Sequence, residues 1–253
     1  MQLNTEMRIH EIIEEKLAEL QRPDLYRQPL VRLSSSTDPA YDQLKTMIGP
    51  WHKSPREIQS NAMTVISYFV PFTREVAKAP NYHQDGTPIW AEAYQEINRH
   101  FNHINDAISD FLIREGHSAT TIPSTHTYDP KDLKCWWSHR SAAVIAGLGA
   151  FGANRLVITE KGSAGRFCSV ITSAPLTPSA APDQVRCLYL NKGTCGLCFK
   201  TCPVQALAPE SLEKFGCQEE LFKNADHLKD QTELTSADTC GKCISICPVA
   251  YLE

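Results

Sequence analysis

No stretch of this 253-residue chain comes near the roughly 20 consecutive apolar residues that a membrane-spanning helix needs. Residues 1–21 also lack the continuous apolar core of a secretory signal. They carry charges throughout, and Ile9, Ile12, Ile13, Leu17 and Leu20 fall at helical spacing, which predicts an amphipathic helix ended by Pro23. A soluble, cytoplasmic protein is expected, in a reducing compartment where thiols stay free for metal. Positive charge is not in excess either. The formal net charge is −4, and residues 181–253 hold seven Lys/Arg against ten Asp/Glu, so no basic face for nucleic acid is visible in the composition. The 42% hydrophobic share is ordinary for a globular protein, in one domain or two.

Cysteine is what the chain has in quantity. Of its ten cysteines, eight lie in the last 67 residues as two copies of one pattern. The first is Cys187, then Cys195-x2-Cys198-x3-Cys202-Pro203; the second is Cys217, then Cys240-x2-Cys243-x3-Cys247-Pro248. A C-x2-C step lets a tight turn aim two sulfurs at one centre, and the doubled C-x2-C-x3-C-P run is that of a two-cluster ferredoxin, in which the Cys before Pro serves the other cluster. The expected sets are Cys187, Cys195, Cys198 and Cys247 for one [4Fe–4S] cluster, and Cys217, Cys240, Cys243 and Cys202 for the second. Two positions depart from the ferredoxin run: Lys192 and Ala237 stand where its first Cys would be, so Cys187 and Cys217 must reach in from upstream. Structural zinc is the alternative, but it would leave four cysteines and both Cys-Pro tails without a role.

Three prolines within residues 175–182 predict an extended connector, dividing the chain into residues 1–176 and 183–253. Upstream, residues 62–71 read as a buried strand and a loop follows with Pro80, Gly86 and Pro88. Tyr94, Ile97, Phe101, Ile104, Ile108 and Phe111 mark one face of a long helix closed by Gly116. A shorter helix over residues 138–146 and strands over 155–159 and 167–172 complete a mixed α+β reading.

Gly147-Leu148-Gly149-Ala150-Phe151-Gly152 matches GxGxxG, but it follows a helix and precedes a strand, the reverse of a dinucleotide site, and no acid lies between Glu160 and Asp183. These glycines either cap a helix and turn tightly or let backbone approach a flat cofactor. Asn81-x-His83-x-x-Gly86 approximates a cobalamin-ligating motif and is read as a loop. Trp136 and Trp137 are expected to pack a core, and Cys135 and Cys168 to be buried small hydrophobes. His139 and Arg140 are either surface and capping residues or ligands of cofactor carboxamides or substrate anions.

The segment from Ser138 to Gly149, then Gly152 and Asn154, residues 168–176 (CSVITSAPL) and the doubled cysteine tail resemble the epoxyqueuosine reductase family and its shorter relatives, with a more distant similarity to reductive dehalogenases. The resemblance spans roughly residues 60–253. It implies a nitroreductase-like α+β domain joined to a ferredoxin-like domain, with cobalamin between them near His139, Arg140, Gly147, Gly149, Gly152 and Asn154. It also implies a low-potential electron donor and a small-molecule substrate. Two departures stand out: the family's aspartate general acid falls on Leu133, with Asp129 and Asp132 only nearby, and the chain stops six residues after Cys247, without the helical-repeat extension that helps those enzymes hold tRNA. With the acidic balance, this makes tRNA an unexpected partner. The expected function is an iron–sulfur oxidoreductase, or alternatively an electron carrier without substrate chemistry of its own.

Overall fold

Period-two burial of hydrophobic residues on both faces of one strand sets the architecture. In the strand Thr64–Pro71 every residue is buried; Ile66, Tyr68 and Val70 enter one core, while Val65 and Phe69 point to the opposite side. Such a strand must be sandwiched between layers. A computed structural model describes residues 2–82, 86–124, 128–180 and 184–253, so His83 of the loop motif and part of the proline connector lie outside the described residues.

The strands are β1 (Leu30–Ser35), β2 (Thr64–Pro71), β3 (Ala119–Thr121), β4 (Tyr128–Asp129), β5 (Lys134–Cys135), β6 (Gly149–Phe151), β7 (Val157–Thr159) and β8 (Gly165–Thr172). The helices are α1 (Gln2–Ala18), α2 (Pro39–Met47), α3 (Pro55–Ile58), α4 (Arg74–Lys78), α5 (Pro88–Arg114), α6 (His139–Ile145), α7 (Leu188–Lys192), α8 (Leu197–Thr201), α9 (Lys214–Lys229) and α10 (Lys242–Ser245). Among the described residues, four strands form an antiparallel sheet in the order β1-β2-β8-β3. Helices α1 and α5 cover one face through Ile9, Ile13, Ile97, Phe101, Ile104 and Ile108; α2 and α6 cover the other. The arrangement is α+β.

The long helix starts at Pro88 and ends where Gly116, at φ 87°, lets His117 N–H return to Leu112 O and Gly116 N–H to Ile113 O. Ser138 caps α6 by accepting from Ser141 N–H. Trp137 is buried, as expected, against Tyr41, and Cys168 is fully buried. Cys135 is not: it is half-exposed and donates its S–H to Trp137 O at 2.8 Å, because the two-residue strand carrying it belongs to a surface hairpin.

The connector lies along the sheet instead of hanging free. Ser179 N–H donates to Leu33 O, Leu33 N–H to Ser179 Oγ, and Thr177 N–H to Glu6. The C-terminus returns to the first half of the chain, where Ser163 and Ala164 N–H both donate to Ala250 O and Arg27 stacks on Tyr251 at 4.3 Å. Among the described residues no helix is long and apolar enough to cross a membrane.

Candidate functional site

Both cysteine runs use the same local device. In Cys195-Gly196-Leu197-Cys198 and Cys240-Gly241-Lys242-Cys243 the glycine is left-handed, at φ 96° and 74°, and opens a short helix, α8 or α10. Only glycine takes that conformation without strain, and the reversal brings the flanking sulfurs to one side. Helices α8 and α10 pack against each other, so the runs face across a shared contact.

That contact exchanges cysteines between runs. Cys187, Cys195 and Cys198 line one cavity together with Cys247 from the second run, and Ala153 and Asn154 form part of its wall. Ala153 N–H donates to Cys187 Sγ at 3.4 Å. Burial pushes the Cys247 thiol up to about 11, and the neighbours that add to the effect are Cys187, Cys198 and Cys195. Around the other group, burial raises Cys217, followed by the influence of Cys202. It pushes Cys243 up to about 12, with Cys240, Cys217, Cys198 and Cys202 adding. Thiols crowded in this way resist ionising beside one another; a bound cation reverses the balance and deprotonates them outright. Among the described residues no three or more His, Cys, Asp or Glu side chains gather closely enough to share one metal ion, and a four-iron cube holds its thiolates around a wider centre than a single zinc does.

The first half of the chain holds the second run by its backbone. Asn154 Nδ2 donates to Cys243 O at 3.3 Å, Asn81 Nδ2 to Ser245 O at 3.1 Å, and Lys78 Nζ to the Ser245 and Cys247 carbonyls at 3.4 and 3.5 Å. Asn81 thus has a clamp role that its motif context did not signal.

The glycine turn is closely packed against its own hairpin. A side chain at Gly149 would run into the carbonyl of Ile158, and at Gly152 into the Ile158 side chain and Asn154. Gly147, at φ 82°, follows α6 as its left-handed exit. Gly149 lets β6 lie flat on β7, which supports the tight-turn reading of this segment. Asn154, buried, faces the cysteine cavity.

His139 and Arg140 sit elsewhere, at the start of α6 beside β8. His139 is half-buried, with Nδ1 2.7 Å from Ser169 Oγ and Nε2 3.1 Å from Pro123 O. Burial lowers its pKa to about 4. Leu133, at φ 55°, closes the β4–β5 turn through its N–H to Asp129 O. Asp129 accepts from Lys131 N–H; Asp132 accepts from Lys134 N–H and pairs with Lys134 Nζ at 2.7 Å, which holds its carboxyl below the usual range. Both acids are turn-forming groups, and Asp132 is kept ionised.

No protein-family model matches the chain, and no curated protein does. Solved structures do. An epoxyqueuosine reductase from Streptococcus thermophilus is similar over 95% of this chain at 17% identity and a TM-score of 0.57. The Bacillus subtilis enzyme, with its catalytic loop swung out of the active site, is similar over 96% at 16% identity and a TM-score of 0.55. An epoxyqueuosine reductase holding an epoxyqueuosine-modified tRNA-Tyr stem loop is similar over 96% at 17% identity and a TM-score of 0.55. The chain spans 65% of the length of the first of these and 66% of the other two. The third corrects the expectation that tRNA is an unlikely partner. Net charge alone does not exclude such a partner, since a stem loop is met by a local surface and not by the average over a chain. The chain has the fold of the epoxyqueuosine reductases.

Proposed function

We propose that the protein is an iron–sulfur oxidoreductase of the epoxyqueuosine reductase type. One [4Fe–4S] cluster is held by Cys187, Cys195, Cys198 and Cys247, and a second by Cys202, Cys217, Cys240 and Cys243. The observation that carries this reading is the lining of one cavity by three thiols of the first run and one of the second, the exchange that two-cluster ferredoxins use. Residues 1–176 form the substrate part in this reading, and residues 183–253 the cluster part. The clusters, once bound, supply single electrons. The chain's own groups shape their setting: Ala153 N–H offers a hydrogen bond to a ligand sulfur, which tunes potential, and Asn154, Asn81 and Lys78 fix the second run. The proton for a reductive step must come from a group other than residue 133, because a leucine has none to give. An epoxyqueuosine-modified stem loop, the ligand of one structural relative, is the first substrate to offer.

The test is anaerobic purification with metal analysis and EPR. About eight iron and eight sulfide per chain are expected. Cys202→Ser should disturb the cluster of Cys217, Cys240 and Cys243 and spare the other. Stoichiometric zinc with little iron would overturn the proposal, and a Cys202→Ser lesion confined to the Cys195/Cys198 cluster would overturn the ligand exchange.

A further inference from the structure

A recess of about 540 Å³ runs along one side of α5, closed by Leu20 just beyond α1 and by residues 232–234 after α9. It shares no residue with the cysteine cavity, and its volume suits a small molecule. The facing segment is pinned to the helix. Thr235 and Ser236 N–H both donate to Gln95 Oε1, at 2.8 and 2.6 Å, and Arg99 Nη2–H donates to Thr235 Oγ1 at 2.7 Å. Leu234 packs against the small cluster that includes Ala91. The segment therefore runs alongside α5, with Glu233 toward the Glu92 end and Thr235 toward Arg99.

The charges along this recess are separated by sign. Glu92 and Glu96 line it one turn apart, and together with Asp24 they share the single guanidinium of Arg22, at 2.8, 3.7 and 2.8 Å. Glu233 is exposed and adds a third carboxylate to the wall without an ion-pair partner among the described residues. The helical rise sets Arg99 about 10 Å farther along the axis than Glu92, and His103 follows one turn later. Arg99 is exposed and, among the described residues, has no carboxylate at ion-pair distance, although it lines the same recess as Glu233.

Two side chains in the wall are only 8% exposed and keep a polar atom unused. Gln95 spends its Oε1 on the facing segment, which leaves Nε2 without a partner. His100 donates Nε2–H to Lys16 O at 2.5 Å, which leaves Nδ1 without one. Leu20, Pro88 and Leu234 supply the apolar part of the wall. An exposed charge attracts a lone ion weakly, whereas a ligand that meets both ends at once makes the second contact within the same binding event.

We propose that this recess binds a small zwitterion whose ammonium and carboxylate groups are held apart by an apolar spacer. The ammonium lies among Glu92, Glu96 and Glu233, and the carboxylate meets Arg99 and the Gln95 amide, in the planar geometry a guanidinium favours. Occupancy needs neither clusters nor turnover, so its failure and that of the redox reading are separable.

The experiment is isothermal titration of the anaerobically purified protein with 6-aminohexanoate and, separately, with hexylamine, hexanoate and glycine, all at matched ionic strength. The 6-aminohexanoate should bind at least about tenfold more tightly than each of the others, because hexylamine and hexanoate carry one charge each and glycine carries both on one carbon. Arg99→Gln should weaken 6-aminohexanoate by about tenfold and leave hexylamine unchanged, whereas Glu233→Gln should weaken both. Both residues are exposed, so neither substitution disturbs the core. Arg114→Gln, at the far end of α5 and outside the recess, should bind as the wild type does and so separates the site from general charge. The proposal is overturned if 6-aminohexanoate binds no more tightly than the singly charged probes, if glycine matches it, if Arg99→Gln and Glu233→Gln bind as the wild type does, or if Arg114→Gln weakens binding as much as they do.

Discussion

Asn154 Nδ2 reaches the carbonyl of Cys243 at 3.3 Å, across 89 positions of sequence, while its Oδ1 accepts from Leu156 N–H at 3.2 Å. One buried amide therefore shapes the turn that carries it and ties that turn to the second cysteine run. Asn154→Ala removes both bonds and leaves two backbone groups short of a partner, at a cost of about 1–3 kcal/mol. Anaerobic thermal unfolding should show a lowered Tm. An unchanged Tm would mean that the clamp carries no stability.

The packing role of the glycine turn makes a sharp prediction. Gly149→Val places methyl groups against the Ile158 carbonyl, which cannot move without breaking the β6–β7 pairing, and should cost about 1–3 kcal/mol or more. Gly116→Ala is the comparison: no atom lies within 4 Å of its added carbon, so only the left-handed backbone is strained, at roughly 1 kcal/mol. Denaturant unfolding should rank the two in that order. A Gly149→Val protein as stable as the wild type would mean that the close approach to Ile158 carries no stability.

The parts of the fold legible in sequence were those with strong periodicity. The α5 face from Tyr94 to Phe111, the buried run of β2 and the amphipathic α1 each repeat a hydrophobic signal over several turns or residues. Strand β1 was not anticipated, because LVRLSS ends in two serines and carries an arginine, and only pairing to β2 makes it a strand. The hairpin β4–β5 and the strand β6 carry too few residues to show a period, whereas β7 falls within the strand expected over residues 155–159. At the site, the cysteine spacing was readable because ligand chemistry is local. The repeated C-G-x-C was visible too, and its glycines signal the left-handed turn. Arg166 had no such signal: its partners Tyr94 and Asn98 lie on α5, and only the fold brings them together.

Two spare thiols should differ in reactivity. Cys168 has no exposed surface, receives a hydrogen bond from Asn105 Nδ2 at 3.3 Å, and is raised in pKa by burial. Cys135 is half-exposed on a surface hairpin. In the cluster-loaded protein, iodoacetamide should label Cys135 and leave Cys168 untouched until the sheet unfolds. Peptide mapping by mass spectrometry reads the outcome, and labelling of Cys168 in the native state would contradict the packed core around Tyr68 and Asn105.

Acid should weaken the fold through His139. Its folded pKa is lowered to about 4, by burial first and by the charge of Arg166 as well, against the opposing hydrogen bond to Pro123 O. The native state therefore prefers the neutral ring, whereas the unfolded chain takes up a proton near its ordinary value of 6.5. Between these two values the unfolded state binds more protons, so the contribution is complete above about pH 6.5 and is lost as the pH falls toward 4. The lowered pKa bounds this loss at about 3 kcal/mol, less whatever solvent recovers at a half-buried ring. Chemical denaturation at a series of pH values should show stability falling across that window. In His139→Gln, which keeps an amide for Ser169 or Pro123 but cannot titrate, the slope should flatten. If wild type and variant lose stability in parallel from pH 6.5 to 4, His139 is not the group that carries it.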